Sequence, residues 1–256
     1  MLGILGALKT ETSSVRRQMT SRVVHQASAC PMCEGVYRGR TIVLATTGMG
    51  RERAEDAARC LLGRHPISLL ISIGFAGALT DDLAMGDIVL GSPLKAVSDD
   101  EGKSIVHPPL TADQRILSSV EEGLVRAAIP FHVKVGVTVP DLICDPAQRA
   151  ELAAVADAQV VDMESYWIAR IAAQRDIPFI TIRAISDTSK KGLLPFTQMM
   201  APDGQWKAKE TVRYFIRRPR YLARLLPLAG EIRRAKKSLA HSIESLVEGL
   251  SEEQAA

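Results

Sequence analysis

Residues 67–77 read Ile67-Ser68-Leu69-Leu70-Ile71-Ser72-Ile73-Gly74-Phe75-Ala76-Gly77. The run Ile67 to Ile73 is almost continuously apolar and of strand length, as expected of a strand covered on both faces, and it ends at the glycine-rich Gly74-Phe75-Ala76-Gly77. A strand covered on both faces needs helices above and below the sheet, and the flanking sequence supplies them. Upstream, Met1-Leu2-Gly3-Ile4-Leu5 reads as a buried first strand ending at Gly6. Val36-Tyr37-Arg38, a turn at Gly39 and Thr41-Ile42-Val43-Leu44-Ala45 read as a hairpin. Thr46-Thr47-Gly48-Met49-Gly50 then opens a helix over 51–62, with Ala54, Ala57 and Leu61 at helical spacing. Downstream, a short strand is expected at 87–90, a helix capped by Thr111 and reaching Ala128, and a strand at 132–139. A helix at 146–156, a strand at 159–161, a helix at 164–175 and a strand at 179–184 follow. Strand and helix alternating through short loops predict an α/β fold, a largely parallel or mixed sheet sandwiched by helices. A composition break at 192–204, followed by helices rich in Arg and Leu, divides the chain into 1–204 and 205–256.

The 256 residues, 46% hydrophobic and 24% charged, can bury a substantial core without disulfides. This composition excludes bulk disorder, coiled coil and collagen. The longest central stretch free of Asp, Glu, Lys and Arg, 65–80, is broken by two glycines and is too short to span a bilayer. Lys9 and Glu11 interrupt the N-terminal apolar run, so no signal peptide is expected and the chain is assigned to the cytosol. Cys30 and Cys33 form a lone Cys-x-x-Cys in an expected loop at 27–35, and neither Cys60 nor Cys144 belongs to a second pair. No metal site is expected. The net charge of +3 is unevenly spread: residues 205–237 carry a surplus of nine positive charges, leaving −6 on the rest. Such asymmetry suggests either an anionic partner surface or a solvated face on helices packed against the body.

Two phosphate-binding patterns fail. Gly102-Lys103-Ser104 ends like a Walker A loop, but the required upstream glycine is Val97. Gly48-x-Gly50 follows a strand and opens a helix, but the third glycine of a dinucleotide fingerprint is Arg53. The turn still places backbone N–H groups at a helix N-terminus, suited to an anion or a polar sugar edge, although a tight turn without ligand explains it equally well. Acids at strand ends are more informative. Glu11 lies just beyond the first strand, Glu164 follows Val160-Val161-Asp162-Met163, and Asp187 follows Arg183-Ala184-Ile185-Ser186. The ligand cleft of such a sheet lies outside the carboxyl ends of its strands. Three acids converging there can supply a water-activating base, a sugar-hydroxyl acceptor and a leaving-group acid, a set suited to glycosidic cleavage. Any one of them alone reads as an N-cap or a solvated loop residue.

Five motifs then carry a resemblance: Ile4-Leu5-Gly6-Ala7-Leu8 with Glu11, Thr47-Gly48-Met49-Gly50, Gly74-Phe75-Ala76-Gly77, Val161-Asp162-Met163-Glu164-Ser165 and Arg183-Ala184-Ile185-Ser186-Asp187. Their order over residues 1–188 resembles the nucleoside phosphorylase and nucleosidase superfamily, in the branch containing methylthioadenosine/S-adenosylhomocysteine nucleosidases. Asp-Met-Glu-Ser, Leu194-Pro195 and Arg217-Arg218-Pro219 before a Leu/Arg-rich tail look most like hopanoid-associated phosphorylases, which remove adenine from adenosylhopane. The resemblance implies a nucleoside-phosphorylase-like three-layer sandwich with a central mixed sheet, extended by basic C-terminal helices. It implies an adenine nucleoside as substrate, lipid-linked in the hopanoid branch, no cofactor, and inorganic phosphate as co-substrate only if the enzyme is a phosphorylase. It also implies a homo-oligomer.

By the same resemblance, Asp187 donates a proton to purine N7 and Ser186 orients it. Glu164 grips the ribose hydroxyls, Met163 lies under the sugar, Met49 lines the ribose site, and Glu11 activates water in the hydrolases. Gly48, Gly50 and Arg51 are the candidates for a phosphate site, with Arg53 a further source of charge. Two positions depart from the pattern: Phe75 stands where relatives carry Ser or Thr near the nucleophile, and Ile143 and Cys144 stand where nucleosidases stack an aromatic on adenine.

The tail adds an expectation of its own. Ile232, Leu239, Ile243, Leu246, Val247 and Leu250 mark one helical face, and Tyr214, Phe215, Tyr221, Leu222, Leu225 and Leu226 sit among arginines upstream. Bulky apolar groups ringed by arginine predict peripheral contact of 205–250 with the inner face of a membrane, against the alternative that the apolar face packs on the body. A nucleic-acid partner is not expected, because the basic tail lacks an aromatic-interleaved groove. A soluble-substrate nucleosidase and a noncatalytic nucleoside-binding scaffold remain the alternatives.

Overall fold

In the computed structural model, residues 1–25, 31–100, 103–190 and 222–252 are described. The fold is organised by β5 (Leu69–Ala78), whose three neighbours compete for two edges. On one edge it pairs in parallel with β10 (Phe179–Asp187), from Leu70↔Phe179 to Gly77↔Asp187. The other edge is shared in succession. β1 (Leu2–Gly6) runs parallel to it as far as Gly6↔Ile73, and β9 (Val160–Asp162) takes over, antiparallel, at Val161↔Gly77. Beyond β1 the sheet continues through β4 (Arg40–Thr46), β3 (Met32–Tyr37) and β2 (Thr20–His25). On the far side, β10 pairs with β6 (Ile88–Asp100), β6 with β7 (Lys103–Leu110) and β8 (Phe131–Thr138), and β8 with β9. The strands β5–β9–β8–β6–β10 thus return to β5 and close a five-stranded circuit within a mixed sheet.

Six helices clothe this sheet among the described residues: α1 (Lys9–Gln18), α2 (Arg51–Arg64), α3 (Gln114–Arg126), α4 (Pro146–Ala156), α5 (Ser165–Ala173) and α6 (Leu222–Glu252). α2 buries Ala54, Ala57, Ala58 and Leu61 and packs against α5, β1 and β4. α1 and α3 pack against α6. This is the α/β three-layer sandwich with a mixed sheet that the motifs implied.

Several boundaries differ from the sequence reading, each for a physical reason. The cap of α3 is Asp113, not Thr111: its Oδ1 accepts from the N–H groups of Arg115 (2.8 Å) and Ile116 (3.3 Å). β5 runs straight through the glycines expected to end it, because β10 pairs with it as far as Gly77. β6 is 13 residues long, not the short strand of 87–90. Pro93 lacks an N–H and reads as a stop, but the strand passes it with a register shift between Gly91 and Leu94. Cys33 is buried on β3 rather than in a loop, and Cys30 lies outside the described residues. The Arg/Leu-rich stretch 205–221 also lies outside them, as do Leu194, Pro195 and the Arg217-Arg218-Pro219 motif.

The largest correction concerns the tail. Leu239, Ile243, Leu246, Val247 and Leu250 are buried in the main core with Val15 of α1 and Leu117, Val120 and Leu124 of α3. Ser245 Oγ donates to Gly123 O at 2.9 Å, and Glu244 ion-pairs with Arg38 at the β3–β4 turn. α1 and α3 carry apolar faces that need a cover, and α6 supplies it. The face read as interfacial is therefore core, each large side chain contributing on the order of 1.5–3 kcal/mol. No described helix is long and apolar enough to cross a membrane.

Candidate active site

The succession of β1 and β9 along one edge of β5 leaves a gap between Ile73 and Gly77. On that edge the backbone between them pairs with no strand, and Glu11 reaches into the space. The chain turns sharply from β1 into α1, so Glu11 falls on the first turn of that helix and points back across the strand ends. Its Oε2 accepts from the N–H of Leu8 at 2.7 Å and its Oε1 from the N–H of Phe75 at 3.0 Å. Gly74 makes this possible, since a Cβ there would stand 2.9 Å from Glu11 Oε1. Burial pushes the Glu11 carboxyl up, opposed by these N–H groups and by Arg183.

Asp187 occupies the last position of β10, opposite Gly77. A Cβ at Gly77 would lie 2.8 Å from Asp187 Oδ2, so the second glycine of the Gly-Phe-Ala-Gly motif houses the second acid. Ser186 Oγ donates to Asp187 Oδ1 at 2.7 Å, and Oδ2 ion-pairs with the guanidinium of Arg149. Burial drives the Asp187 carboxyl up, with Arg149 and then Ser186 opposing.

Glu164 joins β9 to α5 and belongs to neither. Gly50, at a φ of 91° that favours glycine, sends its N–H to Glu164 Oε1 at 2.8 Å. Partly reachable by solvent yet ringed by protein, Glu164 is pushed up to about 8. Burial is the main cause and the nearby Asp162 the second, Glu11 adds to it, and the Gly50 N–H and Arg183 oppose. Beneath it lies a buried polar network. Asp162 accepts from Thr138 Oγ1 (2.6 Å) and Arg183 Nε (2.8 Å), and Arg183 Nη2 donates to Ser72 Oγ (2.8 Å).

The structure brings Glu11, Glu164, Asp187, Ser186 and the backbone of Phe75 and Gly50 to one end of the sheet. Met49 and Met163 are half-buried beside Gly50 and Glu164. Ile143 and Cys144 lie half-buried before α4, and the Ile143 carbonyl accepts from Arg149 Nε at 2.9 Å. The groups named for phosphate are engaged elsewhere. The Gly48 N–H donates to Ala7 O at 3.0 Å and the Gly50 N–H to Glu164. Arg51 Nε donates to Glu55 Oε1 at 3.0 Å while its guanidinium lies 4.1 Å from the Trp167 ring centroid.

Sequence reasoning gave no role to Asp162, Arg183 or Arg149. A charge inside the largely apolar Phe179–Ile185 was a usable signal for Arg183, because a buried charge demands a partner. Arg149 offered none: it sits in an alanine-rich helix whose neighbours face solvent. No group of His, Cys, Asp and Glu able to hold a metal occurs among the described residues.

Chemically, this end of the sheet presents two carboxyls whose ionisation is opposed by burial, seated against glycines three residues apart along β5, with a third beside them. Such an arrangement can deliver a proton to one side of a bound molecule and accept one on the other.

Comparison with known proteins agrees with this architecture. A family profile described as Phosphorylase superfamily matches residues 1–216. The 5′-methylthioadenosine/S-adenosylhomocysteine nucleosidase of Bacillus subtilis is 26% identical over 200 residues, covering 74% of this chain and 87% of that protein. The one from Aeromonas salmonicida is 25% identical over 223 residues, covering 83% and 97%. The crystal structure of the Neisseria meningitidis nucleosidase in complex with methylthio-immucillin-A superposes with a TM-score of 0.75 at 19% identity, covering 96% of this chain and 98% of that one. Futalosine hydrolase of Helicobacter pylori gives 0.73 at 14%, covering 96% and 97%. The matched span takes in every strand among the described residues and both glycine-seated acids, and the chain belongs to the Phosphorylase superfamily.

Proposed function

We propose that this enzyme cleaves the N-glycosidic bond of an adenine nucleoside with water as nucleophile. The observation that carries this is the seating of Glu11 at Gly74 and Asp187 at Gly77, two carboxyls from different elements set against one strand with Glu164 alongside. Asp187 donates its proton to N7 as the bond between N9 and C1′ breaks, so adenine leaves as a neutral molecule rather than an anion. Glu11 takes a proton from the water whose oxygen bonds to C1′. Glu164 receives the ribose hydroxyls, with Met163 and Met49 against the sugar. Ile143 and Cys144 give the base an apolar lining in place of an aromatic stack. The names of the relatives, nucleosidases of adenine-containing substrates, support adenine as the base.

Water is favoured over phosphate because the N–H groups of Gly48 and Gly50 are both committed to protein partners. The test is adenine release from methylthioadenosine and from a 5′-alkylated adenosine, each with and without phosphate. Release without phosphate is expected. Dependence on phosphate overturns the choice of nucleophile, and no release under any condition leaves the noncatalytic scaffold.

The 5′-substituent is proposed to be a lipid, as in adenosylhopane, on the likeness of the Asp-Met-Glu-Ser form and the tail. With the apolar face of α6 in the core, the described part of the tail offers a membrane its charge: Arg233 and Lys237 are exposed one turn apart. Faster release from the 5′-alkylated adenosine than from methylthioadenosine is expected, and the reverse order favours a soluble substrate. Assembly with further copies is proposed on Val23 and Val24, 55% and 52% exposed on the edge strand β2. Light scattering checks it, and a monomer overturns it.

A further inference from the structure

The chain carries a buried cation that none of the assigned roles uses. α4 is largely a surface helix, with Ala147, Gln148, Ala150 and Glu151 all exposed, yet Arg149 between them is 1% exposed. Its guanidinium joins four separate pieces of backbone and side chain. Nε donates to Ile143 O at 2.9 Å, and Nη1 donates to Thr188 O at 3.2 Å and lies 3.5 Å from Ala78 O. Nη2 ion-pairs with Asp187 Oδ2. These partners are the loop before α4, the end of β5, the residue after the acid, and the acid itself.

We infer that Arg149 is a positioning residue that aims Asp187 and sets its protonation, coupling both to the Ile143 loop. The inference rests on the reading of Asp187 as the leaving-group acid. Burying a guanidinium is unfavourable unless its donors find acceptors, and here the acceptors are Asp187 and the backbone carbonyls of Ile143, Thr188 and Ala78. Oδ2 of Asp187 is held between Gly77 and Arg149, which leaves Oδ1, beside Ser186, as the oxygen that faces the base. An unopposed buried aspartate holds its proton too tightly to be a good donor. A neighbouring cation favours the ionised form and makes the acid stronger. Arg149 is the first group that opposes burial at Asp187. The other ionisable group acting there is the Cys144 thiol, which burial pushes up and keeps neutral. Because Nε holds Ile143, the loop proposed to line the base and the acid proposed to protonate it hang on the same side chain.

The experiment measures kcat and KM for adenine release across pH in Arg149→Met, Arg149→Lys and Asp187→Asn, with melting curves. In Arg149→Met the acid keeps its proton to higher pH, so the basic limb of the kcat profile moves up by about one unit or more. kcat falls roughly tenfold or more as the weaker acid gives less assistance. Arg149→Lys returns the limb toward its original position, since the charge is restored. It still falls several-fold in kcat, because an ammonium cannot reproduce the planar fork that reaches Ile143 and Asp187 together. A folded Arg149→Met enzyme with the original limb and kcat overturns the inference. If that variant does not fold, an Arg149→Lys enzyme with unchanged kcat overturns it. Should Asp187→Asn remain active, the acid reading itself fails. An inactive Asp187→Asn beside unperturbed Arg149 variants removes only the role of Arg149.

Discussion

Gly77 and Asp187 occupy each other's space: a Cβ on the glycine would stand 2.8 Å from Asp187 Oδ2. Gly74 bears the same relation to Glu11, at 2.9 Å from Oε1. The two glycines of the Gly-Phe-Ala-Gly motif are therefore vacancies for two carboxyls, and neither is at a positive φ that would require glycine for the backbone. Gly77→Ala is expected to displace Asp187 while β5 stays paired. A displacement near 1 Å at a reacting group can cost about 100-fold. Adenine release should fall by that order with a cooperative melt retained, and a variant within a few-fold of the parent shows that Asp187 does not act from this seat.

Asp187→Asn keeps the side-chain shape and removes the proton. A loss of about 10²–10⁴ in kcat is expected, the usual worth of general acid assistance. Turnover within a few-fold of the parent removes Asp187 from the mechanism.

Glu11→Gln also has a consequence for stability. Both oxygens of Glu11 accept backbone N–H groups, from Leu8 and Phe75. An amide sets its own NH2 against one of those donors, leaving a buried donor unsatisfied at about 1–3 kcal/mol. Loss of activity should therefore come with a lower melting temperature. Activity lost with the melt unchanged would mean that the contact to the gap in β5 is not made.

The layers of the fold were legible because burial writes itself into periodicity: 51–62 reads as a helix and lies within α2, which buries Ala54, Ala57 and Leu61. What escaped had mixed signals. β2 reads Thr-Ser-Arg-Val-Val-His, an edge strand with exposed valines, and β7 contains two prolines, so neither shows a buried face. The three acids were legible as strand-end carboxylates, but their seats were not, because the fit of Glu11 to Gly74 depends on β1 leaving β5 after Ile73. The apolar stripe of α6 was read correctly and its cover was not, since periodicity shows that a face must be buried without showing against what.

Glu164, pushed up to about 8 from 4.5, gives a pH dependence of known sign. A carboxyl that binds its proton more tightly folded than unfolded contributes stability that is fully present below about 4.5 and is lost as pH rises through about 8. The melting temperature of the parent should fall across that window, and Glu164→Gln should flatten the fall. Assayed above about pH 8, where the carboxyl is ionised, the same variant should lose more activity on ribosides than on 2′-deoxyribosides, since the amide oxygen is a weaker acceptor than a carboxylate. Equal losses would detach Glu164 from the sugar, and an unchanged pH slope would mean that the carboxyl is not protonated in the folded state.

The burial of α6 changes what a test of membrane contact can use. Leu239, Ile243, Leu246, Val247 and Leu250 sit in the core shared with α1 and α3, so deleting the tail removes core as well as charge. Leu246→Ala alone is expected to cost about 2–5 kcal/mol, and a chain ending before residue 222 should not melt cooperatively. Arg233 and Lys237 are exposed, and replacing either should change stability by no more than about 0.5 kcal/mol. Each basic residue near an anionic leaflet contributes about 1 kcal/mol of attraction, and reversing it to Glu substitutes repulsion. Co-sedimentation with anionic liposomes at low salt should therefore pellet the parent and leave an Arg233→Glu, Lys237→Glu double variant largely in the supernatant, with both proteins melting alike. A parent protein that stays in the supernatant removes the membrane from the reading and leaves a soluble nucleoside as the substrate. A double variant that pellets as well as the parent places the contact away from this face of α6.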